Sequence, residues 1–145
     1  MSTNERTPPP FAQQRLICVA LLLGMASYAT VVAVILMQNG FQGLATEYIG
    51  WLDLAVPGVG LLCAVLAWLT RRFLSAAAAA QFGAARGHAM FRANFIPIAI
   101  AEAGCLFGLT GWLLNANAMP HLVTALVLIS LAIWFLPMRD PDAPL

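Results

Sequence analysis

Lysine is absent from this sequence, and charge of either sign is scarce. Seven arginines and six acids are only 9% of the 145 residues. An ordinary soluble domain carries about 25% charged residues, so this chain lacks the polar surface that would cover a globule in water. Cysteine is also sparse. Cys18, Cys63 and Cys105 lie far apart, each in a different apolar run, and no CxxC or Cys/His cluster exists. That excludes a disulfide framework and a zinc site, and leaves three buried small side chains. The net charge of +1 supplies no basic field for nucleic acid. No nucleophile–base pair, HExxH metal site or thiol–imidazole pair appears, so the sequence predicts no enzyme, no metal and no cofactor. Gly58-Val-Gly60 follows Pro57 without a strand or a lysine, which reads as a kinked helix start rather than a phosphate loop.

What is abundant is apolar. The chain is 61% hydrophobic with a mean hydropathy of +0.84, which makes lipid its expected solvent. Spans at about 16–37, 51–70, 95–114 and 120–136 approach the ~20 residues that cross a hydrocarbon core. The fold class expected is all-α: a polytopic membrane protein built as a bundle of four transmembrane helices. Residues 1–14, with Pro8-Pro9-Pro10, read as a polar disordered tail, residues 15–137 as the membrane domain, and residues 138–145 as a soluble tail. Arg15 and the run after it fit a signal peptide in outline. The 22 apolar residues exceed the ~7–15 of such a segment, however, so an uncleaved first span is expected.

The arginines orient the chain. Arg6, Arg15, Arg71, Arg72, Arg86, Arg92 and Arg139 all fall on the side of the two termini. The opposite connections hold Glu47, Asp53 and His121 but no arginine. The positive-inside rule makes the arginine side cytoplasmic, and a bacterial inner membrane is the expected location. Tyr48 and Trp51 suit the headgroup level on the other side. Residues 70–94, rich in alanine, predict a helical extension beyond the membrane that turns near Gly83 or Gly87. Pro120 suits the first turn of the last helix. Asp53 suits the cap of the second, and His88 and His121 read as solvated interfacial side chains. Arg71, Arg72, Arg86 and Arg92 are candidates for anionic lipid headgroups.

One residue departs from the pattern. Glu102 lies ten residues beyond Arg92, roughly 15 Å along a helix and so near mid-bilayer. A charge there costs about 2.5–3.5 kcal/mol on insertion scales. Ala101, Gly104, Gly108 and Gly111 form one narrow helical stripe for close packing against a neighbouring helix. Glu102 points nearly opposite, in line with Phe95, Leu106, Leu109 and Leu113, toward lipid, a cavity or a partner. With no arginine or lysine in the spans, Tyr28 and Ser130 are its expected hydrogen-bond donors.

Glu102-Ala103 followed by Leu106-Phe107-Gly108-Leu109 resembles the carboxylate-bearing outer helix of the proteolipid c subunit of rotary ATP synthases. The likeness covers Glu102 to Leu114, and the rest of the chain does not match it. It implies a carboxylate that binds and releases a transported proton or sodium ion and faces outward from its hairpin. Two functions are therefore expected. The first is an accessory or assembly component whose Glu102 is a protonatable contact. The alternative is an oligomeric proton- or sodium-coupled carrier component with Glu102 as its ion site. The expected partners are the lipid bilayer and either a second copy of the chain or another membrane subunit.

Overall fold

The computed structural model describes residues 11–45 and 49–137. Glu47, Tyr48, Arg6, Arg139 and the tail at 138–145 lie outside them. Four helices follow one another without a strand among the described residues: α1 (Phe11–Gln38), α2 (Ile49–Ala79), α3 (Gly83–Asn115) and α4 (Ala118–Phe135). All four are long and apolar enough to cross a membrane. The protein is a multi-pass membrane protein with an all-α four-helix bundle.

The helices outrun the apolar spans. α1 begins at Phe11, inside the segment expected as tail. α2 has 31 residues and α3 has 33, roughly 46 and 50 Å against a hydrocarbon core of ~30 Å. Both project at the arginine end, where alanine-rich sequence favours helix without needing lipid. The turn between them falls at Gly83, whose φ of +59° suits a residue without Cβ, while Gly87 lies inside α3. Pro57 and Pro97 sit inside α2 and α3. Each removes one backbone donor, a loss tolerated where neighbouring helices cover the gap. Gly58 and Gly60 accordingly lie within a continuing α2 rather than at its start.

α3 is the hub and packs against the other three helices, whereas α1 packs mainly on α3. The glycine stripe makes this approach possible. Gly104 is buried where a Cβ would come within 2.8 Å of Cys63 and 2.9 Å of Leu128. Gly108 lies against the His121 carbonyl and Ala125, and Gly111 against Val56 and the His121 ring. α2 meets α4 in the same way, with Gly60 directly under Thr124. Around this core, Leu16, Leu23, Leu54, Leu61, Phe73 and Trp134 are exposed, as lipid-facing residues should be.

The free end of α3 is closed by its neighbours. Ala116, at φ +57°, donates its N–H to the Trp112 carbonyl at 2.7 Å. The loop after α1 folds back so that Leu44 N–H reaches Leu113 O at 3.2 Å and Ala45 N–H reaches Leu114 O at 2.9 Å. Three otherwise orphaned carbonyls are thereby satisfied. Gly43 is required for this contact, because a Cβ there would collide with the Leu114 carbonyl.

Candidate functional site

α1 and α3 run in the same direction through the bundle, which sets Gly24 level with Glu102. The carboxylate Oε1 lies 3.6 Å from the position a Cβ on Gly24 would take. Gly24 is exposed and Glu102 half-buried, so the acid stands at the open edge of the seam between these helices. The face opposite the glycine stripe is therefore partly covered: Leu109, on that face, is fully buried.

The expected donors go elsewhere. The Tyr28 hydroxyl lies 3.0 Å from Thr110 Oγ1, which itself donates to the Leu106 carbonyl at 2.8 Å. Tyr28 is one turn beyond Gly24, so its ring reaches past Glu102 to the next polar side chain. Ser130 is exposed and donates to Leu126 O of its own helix at 2.8 Å. Glu102 accepts no hydrogen bond among the described residues.

A second polar group forms where three helix ends meet. The Asn115 amide donates to Asp53 Oδ1 at 2.7 Å, and His121 Nε2 lies 2.9 Å from the same oxygen and 3.0 Å from the amide nitrogen. With Nε2–H donating to the carboxylate, one oxygen accepts from both neighbours. Asp53 thus ties α2 to α3 and α4 and is not a cap, since α2 already begins at Ile49. His121 is fully buried rather than solvated, because the Gly111 surface lets its ring lie against α3. Its Nδ1 has no partner and faces that glycine. The sequence held the signal for this group. Asp53, Asn115 and His121 all fall at the ends of spans on the same side, hence in one layer.

The four arginines do not form one site. Arg71 donates to the Phe135 carbonyl at 2.8 Å, and its guanidinium stands 5.5 Å from the Phe135 ring centroid. There it neutralises the carbonyl end of α4. Arg72 lies over the Trp68 ring at 5.5 Å. These two arginines share a cavity of about 310 Å³ with Trp68, Trp134 and Phe135. Arg92 lines a different cavity of about 420 Å³ with His88 and Gln81, between the projecting parts of α2 and α3. Arg86 borders neither cavity, and its buried Nε has no hydrogen-bond partner. No group of three or more His, Cys, Asp or Glu side chains suited to a metal occurs among the described residues.

No family model matches the chain, and neither a curated protein nor a solved structure is detectably similar to it.

Proposed function

We propose that this chain is a small accessory or assembly component of a membrane complex, in which the Glu102 carboxyl is a protonatable contact for a second copy or another subunit. One observation carries the reading: Glu102 stands near mid-span beside Gly24, half-buried and without a hydrogen-bond partner among the described residues. A bundle that needed only to fold would gain from any apolar residue here. A partner helix offering a donor at the seam gives the acid a use. The segregation of the arginines supports both termini being cytoplasmic, and the proteolipid likeness favours a bacterial inner membrane. Activity reporters fused to the C-terminus test that orientation.

The competing reading makes Glu102 the ion site of a proton- or sodium-coupled carrier, and the likeness of Glu102 to Leu114 to a proteolipid helix favours it. Glu102→Gln and Glu102→Asp separate the two. In the assembly reading Glu102→Gln inserts normally and still co-purifies with its partner, because an amide also hydrogen-bonds. Glu102→Leu loses the partner. In the carrier reading Asp preserves function and Gln abolishes it, and carbodiimide labels the wild-type carboxyl in a pH-dependent way that bound ion suppresses. Unchanged assembly in Glu102→Leu, with no labelling at any pH, would remove both.

A further inference from the structure

The cavity beneath Arg71 and Arg72 is not isolated. Its Trp68 and Trp134 walls are shared with an apolar hollow of about 460 Å³ between α2 and α4, which Ala64, Val65, Val127 and Leu131 also line. Ala64 and Val127 in turn border a third hollow, about 190 Å³, that reaches Pro57 and Gly60. The three make one groove running from the arginines into the membrane. From Arg72 to Pro57 it follows fifteen residues of α2, roughly 22 Å, which exceeds the ~15 Å depth of one leaflet's hydrocarbon.

Charge sorts along this groove. At its mouth Arg71, among the described residues, commits one of its five N–H donors, to Phe135 O. The Arg72 side chain is exposed and, among the described residues, contacts the Trp68 ring. Beyond the two tryptophans every lining side chain is apolar except Ser130 and Thr124, whose hydroxyls are bonded within α4. We propose that the α2–α4 groove is a binding site for one anionic phospholipid. Its phosphate sits on Arg71 and Arg72 between Trp68 and Trp134, and one acyl chain lies along Ala64, Val65 and Val127. The planar guanidinium forks match phosphate oxygens, and the indole rings sit at the level where headgroup meets chain. This site is separate from Glu102 and stands whichever role that residue has.

Asp140 and Asp142 follow α4 at the same end and lie outside the described residues. Competition by these carboxylates is an outcome that the test below separates from lipid binding.

The test is native mass spectrometry of the full-length protein in mild detergent, with phosphatidylglycerol and phosphatidylethanolamine at equal concentration. The wild type is expected to retain phosphatidylglycerol preferentially. Arg72→Gln is expected to weaken that preference about fivefold, the worth of one basic residue at an anionic surface, and Arg72→Lys to recover most of it. Val127→Trp, at an exposed position, fills the groove and should reduce retention of both lipids without lowering thermal stability. Equal retention of the two lipids, or an unchanged preference in Arg72→Gln, overturns the proposal. So does phosphatidylglycerol retention that appears only in an Asp140→Asn/Asp142→Asn variant, which would make the tail the occupant. Displacement by millimolar inorganic phosphate with no effect of Val127→Trp would mark a small-anion site and overturn it too.

Discussion

At the scale of single residues, the most consequential polar atom in the bundle is Asp53 Oδ1, on which Asn115 and His121 converge. Asn115→Ala removes one of the two donors to that oxygen and leaves the Asp53 carboxylate held by His121 alone. The expected destabilisation is about 1–3 kcal/mol, read as a lower thermal midpoint in detergent. Ser130→Ala is the control: its exposed hydroxyl bonds only to its own helix, so no measurable change is expected. Equal midpoints for the two variants would deny Asp53 its tying role. This group also shows what the sequence hides. Glu102 is conspicuous because an acid interrupts an apolar run, whereas His121 sits beside a turn, where solvation is the ordinary outcome. Its burial depends on Gly111 being opposite, a pairing between helices that no local pattern encodes. Tyr28 likewise carried no mark that Thr110 rather than Glu102 was its neighbour.

At the scale of helices, close approach is the organising constraint. Gly104→Leu and Gly108→Leu drive a side chain into α2 or α4, and overpacking of this kind typically costs about 1–3 kcal/mol or more. Leu106→Ala trims a half-buried residue on another face and is expected to lower the midpoint less than either. A ranking with Leu106→Ala worst would place the tight contact on the wrong face. The helices themselves were legible because four long apolar runs have few other solutions in lipid. Their ends were not. Hydropathy stops at Thr70 and resumes at Phe95, but backbone hydrogen bonding does not stop with it, so α2 continues to Ala79 and α3 starts at Gly83. The docking of residues 44 and 45 onto the end of α3 is similarly a long-range event. Gly43 was visible only as a breaker.

Across the whole molecule the four helices are held unequally. α3 is enclosed by three neighbours, while α1 packs mainly on α3 and exposes much of its length. Tyr28 joins α1 to α3 through a side-chain hydrogen bond to Thr110. Local opening follows such differences in burial. Amide hydrogen exchange in lipid nanodiscs is therefore expected to be faster in α1 than in residues 101–111 of α3, and faster again in α1 of Tyr28→Phe. Uniform protection of both helices would mean that α1 belongs to the core.

The shortest wall of the bundle has a further consequence. α4 has 18 residues with a non-helical Met119 near its start, so it is at most about 27 Å if upright, a few ångströms less than an average hydrocarbon core. Any tilt shortens it more. Since mismatch is relieved by bilayer thinning at a fraction of a kcal/mol per ångström, lipid beside α4 is drawn in. Membranes already near 27 Å accept the protein without deformation, and thicker ones favour pairing that hides this wall. Membrane thickness thus becomes a variable in where the protein settles and in how readily copies associate.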